Sequence, residues 1–157
     1  MCKENTMKRL VPLFLIIAIL FSFSACGGSS KTLEVTGDVV SASIPTDWCL
    51  ISGTEMNGAN GSDFICHTKR FEIGDPYLQM MHDPQSRSIE DLQAFLESEE
   101  VYGKYFGSFE CSALTWYIAE KAAGAAIEGK NCVVLSYECD MNSDEVRAIL
   151  GSLAWAD

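Results

Sequence analysis

The chain has 157 residues and carries 22 acidic against 11 basic side chains, a formal net charge of −11. A field of that sign repels phosphate backbones and anionic headgroups, which excludes nucleic acid as a partner and favours basic peptides, cations or plain solubility. The length is that of one domain, enough to bury roughly two thirds of the unfolded surface without metal or disulfide staples.

Lys3, Lys8 and Arg9 make a basic start, Leu10 to Phe21 is almost wholly apolar, and small residues then lead to Cys26. A bilayer-spanning helix takes roughly 20 apolar residues. This run is shorter, so residues 1–25 read as an export signal. The stretch Phe23-Ser24-Ala25-Cys26 resembles the lipobox of bacterial lipoproteins, with Phe23 bulkier than the Leu, Val or Ile usual at that position. The resemblance implies cleavage between Ala25 and Cys26, a diacylglycerol thioether on Cys26, and a place on the extracytoplasmic face of the cell membrane. Two acyl chains anchor a protein stably where one does not. Gly27-Gly28-Ser29-Ser30 supplies a flexible tether, so residues 26–31 link the lipid to a single domain at 32–157. Two other readings stay open. Ser22-Phe23-Ser24 can serve as an ordinary cleavage site that releases a secreted protein, or the leader can stay uncut as a signal anchor.

Without residues 1–25 the chain holds 8 basic against 21 acidic residues, a net charge of −13. Beyond Cys26 there are five cysteines, Cys49, Cys66, Cys111, Cys132 and Cys139. An odd number leaves at least one outside any intramolecular disulfide. They are scattered singly and match no zinc spacing, so neither a metal nor a cofactor is expected.

In chain order, Thr32 to Val35 reads as a first strand and Val39 to Ile44 as a second, with apolar residues at 40, 42 and 44 on one face. Trp48 to Ile51 is a third. Asn57-Gly58-Ala59-Asn60-Gly61 is dense turn chemistry, and Phe64 to Lys69 returns as a fourth. A hairpin symmetrical about residues 57 and 58 sets Cys49 opposite Cys66, so the two are expected as neighbours, bonded or not. Apolar residues on both faces of this pair argue for a sheet covered on both sides. Pro76 to Met81 is a fifth strand. Ser88 then caps a helix with the stripe Ile89, Leu92, Phe95 and Leu96, closed by Gly103. Residues 109–121 read as one long strand, Lys121 to Gly124 as a turn, and Asn131 to Cys139 as the last strong strand. Asn142 caps a final helix with Glu145 reaching back.

Strands, helix, strands, helix predict an α+β class with a mostly antiparallel sheet and helices packed on its faces. Ser43-Ile44-Pro45-Thr46-Asp47-Trp48, a strand leading through proline into a tryptophan-bearing strand, resembles the PsbP-like αβα sandwich over roughly residues 33–155. Gly151-Ser152-Leu153 adds to the likeness. The resemblance implies a docking or accessory role and brings no catalytic residues.

Gly124 to Asn131 nearly spells a phosphate-binding loop, but it leads into a strand where such a loop must open a helix, so it is rejected. Asp140 to Asp144 opens like a calcium loop, yet Glu145 stands where glycine is required and the acidic groups suit helix capping better. Cys66 and His67 are adjacent on a strand and face opposite ways, which rules them out as a nucleophile–base pair. Tyr102, Tyr105, Phe106 and Phe109, interleaved with glycines between a helix and a strand, are the candidate ligand-binding residues; the alternative is that they plug the end of the core. The expected function is a non-catalytic binding or accessory module of the cell envelope with a protein or peptide partner. The alternative is a small envelope hydrolase using His67 or His82.

Overall fold

The computed structural model describes residues 31–157 apart from residue 57. The leader, Cys26 and residues 27–30 of the tether lie outside the described residues. Ten strands and three short helices follow in order. They are β1 (Thr32–Thr36), β2 (Val40–Pro45), β3 (Cys49–Ser52), β4 (Ser62–Cys66), β5 (Tyr77–His82), α1 (Ile89–Leu96), α2 (Glu99–Tyr102), β6 (Tyr105–Cys111), β7 (Leu114–Ala119), β8 (Ala122–Ile127), β9 (Lys130–Tyr137), α3 (Asp144–Ser152) and β10 (Ala154–Trp155).

Two antiparallel meanders, β3-β4-β5 and β6-β7-β8-β9, meet where β9 pairs with β5, giving a seven-stranded sheet with β3 and β6 at its edges. β2 pairs with β1 on one side and with β10 on the other to make a second, three-stranded sheet. The two sheets share one core: Val40, Ala42 and Ile44 of β2 pack with Ile65, Leu78, Met80, Trp116, Ile118 and Val134 of the large sheet. Val146, Ile149 and Leu150 of α3 complete it. On the opposite face Leu92 and Leu96 of α1 lie on Ala122 and Val133.

The expected α+β class, the PsbP-like αβα sandwich with helices on the sheet faces, is corrected by this arrangement. Strands dominate, the helices have 8, 4 and 9 residues, and much of one face is covered by another sheet. Most of the difference comes from 105–127. The expected long strand over 109–121 is two strands, turned at Ser112 and Ala113, both in the left-handed region at φ 51° and 66°. Two consecutive positive φ values are the geometry of a type I′ hairpin turn, which follows the natural twist of paired strands. Of the expected turn at Lys121–Gly124 only Lys121 lies between strands, and Ala122–Gly124 are the start of β8. A second hairpin turn, Glu128-Gly129, joins β8 to β9, so the stretch that nearly spells a phosphate loop is a strand and its turn.

The helix expected to run to Gly103 stops at Leu96 and resumes only for α2. Its cap is as expected: Ser88 Oγ accepts from Asp91 N–H at 3.1 Å. The cap of α3 falls one residue later than expected, on Ser143, whose hydroxyl accepts from Val146 N–H at 3.2 Å. Asn142 instead accepts from the Arg147 guanidinium.

One buried carboxylate ties the two sheets together. Asp63 on β4 is 0% exposed, and its oxygens accept from the N–H groups of Asp38, Val39 and Val40 at 3.0, 2.7 and 2.8 Å. Successive backbone donors of this kind form a natural anion cradle. Gly37 lets the carboxylate in, because a Cβ there would overlap it.

Candidate functional site

The four aromatic candidates do not form one platform. Tyr102 closes α2 and rests beside Phe95, with ring centroids 4.6 Å apart. Tyr105 joins it on the α1 face of the sheet, whereas Phe106 and Phe109 pack against the shared core on the other side. The register of β6 on β7 shifts between Tyr105 and Gly107, and that irregularity accompanies the change of face. Burial raises the pKa of Tyr102, partly countered by Arg87. Burial, then Glu97 and Tyr117, raises that of Tyr105. All four side chains are only partly buried.

Phe106 nevertheless lines an open groove of about 790 Å³ at the end of the large sheet. Its walls come from the start of β6, the β7–β8 turn and the segment that leaves β9, with Lys104, Phe106, Lys121, Tyr137, Cys139 and Asp140 among them. Backbone pairing builds the floor. Glu120 N–H donates to Lys104 C=O at 2.9 Å, Lys121 N–H to Tyr102 C=O at 3.0 Å, and Ser136 N–H to Lys121 C=O at 2.9 Å. Gly103, at φ 71°, leaves room for the Glu120 side chain, whose Oε2 accepts from Lys104 N–H at 3.3 Å. Ser136 Oγ bridges to both backbone groups of Cys139 and turns the chain across the groove mouth.

The groove is electrically mixed. Lys104 Nζ stands 5.8 Å from the centroid of the Phe106 ring. Neither Lys104 nor Lys121 is in an ion pair among the described residues, where Arg87 with Asp83 is the one such pair. Tyr137 is 43% exposed and stacks on Tyr77 at 5.2 Å; Tyr77 in turn meets Phe64 and Phe71 edge to face. Burial, then Glu145, pushes the Cys139 thiol up to about 11.

The histidines are engaged elsewhere. His67 stacks on Trp48 at 4.2 Å and His82 on Trp155 at 3.9 Å. His82 is also the register partner of Cys132, a juxtaposition that sequence reasoning missed because the fifth strand was expected to end at Met81 and no pairing partner was assigned to β9. Cys132 is 0% exposed, and burial pushes its thiol up to about 12. A nucleophile needs a lowered thiol pKa and solvent access, and Cys132 has neither. Cys49 and Cys66 lie directly opposite each other on β3 and β4.

Comparison with protein families, curated proteins and solved structures finds no match to this chain.

Proposed function

We propose that the chain is a lipid-anchored extracytoplasmic protein acting as a non-catalytic binding or accessory module of the cell envelope, and that its groove takes an extended peptide segment of a partner protein. The basic start, short apolar run and Cys26 support the address. The observation that carries the ligand class is the groove itself: open, about 790 Å³, with two lysines outside any ion pair among the described residues and the Phe106 and Tyr137 rings set among carboxylates. Small-molecule sites envelop most of their ligand in an apolar cavity, whereas this surface offers charge of both signs and flat rings along an open channel. A peptide supplies backbone carbonyls and carboxylates for the lysines and side chains for the rings.

A photoreactive amino acid in place of Tyr137, activated in intact cells, tests the reading. The expected result is a discrete adduct that falls at least about tenfold when Lys104 and Lys121 are both changed to Glu, since reversing charge at a site costs several-fold to many-fold in occupancy. An adduct indifferent to that change refutes the groove as the site. The address is checked separately: the intact mass of the membrane-extracted chain is expected to show a start at Cys26 with added lipid, and a chain starting at Cys26 without lipid mass refutes the anchor.

A further inference from the structure

Cys49 and Cys66 are direct partners across the β3–β4 pair. Gly53 N–H donates to Ser62 C=O at 2.8 Å in the same register, so stepping back by twos puts 51 with 64 and 49 with 66 at hydrogen-bonded positions. On the other side of β4, His67 N–H donates to Pro76 C=O at 2.9 Å, which turns the backbone of residue 66 toward β3 as this requires. Hydrogen-bonded partners stand about 5.5 Å apart at Cα, inside the range of about 4.4–6.8 Å that disulfides span. No other two cysteines are register partners among the described residues: Cys111 faces Leu114, Cys132 faces His82 and Ala125, and Cys139 lies beyond the end of β9.

We infer that Cys49 and Cys66 are joined by a disulfide in the exported protein, a covalent staple across the edge hairpin of the large sheet. The bond forms by exchange with a small or protein disulfide. One thiolate attacks a donor sulfur, giving a mixed disulfide and releasing the first donor thiol. The second cysteine thiolate then attacks the first cysteine's sulfur, forming the Cys49–Cys66 bond and expelling the donor sulfur as the second thiol. Two thiols are oxidised, one donor disulfide is reduced to two thiols, and the two cysteine protons end on the released thiols. The compartment outside the cytoplasmic membrane permits such bonds.

The surroundings make this a structural bond rather than a switch. Cys66 is 0% exposed and Cys49 is half-buried. Burial raises the Cys49 thiol and, with Cys49 itself close by, pushes Cys66 up to about 12. The folded dithiol therefore offers little thiolate to an oxidant. The exchange belongs to the folding chain, before β3 docks on β4, and the completed bond is shielded on its Cys66 side.

The full chain, extracted from membranes under non-reducing conditions with free thiols alkylated, decides it. Cleavage after Glu55 separates the two cysteines, which trypsin leaves on one peptide. The expected result is a pair of fragments carrying Cys49 and Cys66 that stay joined until reductant is added. Denatured, reduced chain refolded with oxidised glutathione should regain the bond, while the folded reduced chain acquires it at least about tenfold more slowly. Alkylated Cys49 and Cys66 in the exported chain, or either one joined to Cys111, Cys132 or Cys139, overturns the assignment. Equal rates for folded and unfolded chains overturn the staple and leave a switch. Cys49→Ser should leave Cys66 alkylatable; if that variant does not fold, fragment mapping on the unaltered chain decides alone.

Discussion

Asp63 satisfies three consecutive backbone donors, two in the turn before β2 and one on its first residue, with no ion-pair partner among the described residues. Removing the carboxylate strands those N–H groups in a buried place, and each orphaned donor costs on the order of 1 kcal/mol or more. Asp63→Ala is therefore expected to lose about 3 kcal/mol in urea unfolding, and Asp63→Asn less, because one side-chain oxygen still accepts. Gly37→Ala should approach the alanine variant, since the added methyl meets the carboxylate itself. The buried thiols give a second residue-scale expectation. With the chain reduced, Cys66 and Cys132 titrate near 12 in the fold against an ordinary 9.0. A pKa raised by folding means that the folded state holds its proton longer. Stability is then flat below about pH 9 and falls as pH climbs toward 12. Chemical denaturation at stepped alkaline pH should show that fall, and a Cys49–Cys66 disulfide should make it shallower by removing the contributions of both raised thiols.

Among the elements, α1 and β8 show what the chain declares openly and what it conceals. Ser88 and the apolar residues at 89, 92, 95 and 96 were legible because a helix period and a cap signal agree. β8 was not. Ala122-Ala-Gly-Ala-Ala126 has little strand propensity, and it is a strand because only small side chains fit beneath α1. A Cβ on Gly124 would lie 2.8 Å from Leu92 Cδ2. Gly124→Ala is accordingly expected to destabilise by about 1–3 kcal/mol through overpacking, and Leu92→Ala by about 3 kcal/mol through the cavity it leaves. Thermal or urea unfolding of both, with Ser88→Ala as a milder control at about 1 kcal/mol, checks the ranking. The groove stayed hidden for the same reason as β8. Ser136–Met141 reaches Lys104 only because β7, β8 and β9 stand side by side, and a chain that turns at 121–124 instead has no such neighbourhood. The Cys49–Cys66 juxtaposition was readable because the turn at 57–61 dictates its own symmetry.

For the whole molecule, charge is the dominant unbalanced quantity. Eight basic residues face 21 acidic ones over residues 26–157, and one ion pair forms among the described residues. Self-repulsion of that size favours the expanded chain and weakens as salt screens it. Raising sodium chloride from low to molar concentration is expected to lift the melting midpoint by several degrees, and a flat or falling midpoint would show that the acidic groups are too dispersed to matter.

The second sheet also decides how the molecule meets a mechanical load. A pull at residue 31 enters through β1, a mostly solvated strand bound to β2 alone. β2 behind it is gripped on its far side by β10, from beneath by the core, and at its root by the Asp63 cradle. A tug at residue 31 would peel away the outermost ribbon and spend itself there, leaving the seven-stranded body and its groove undisturbed.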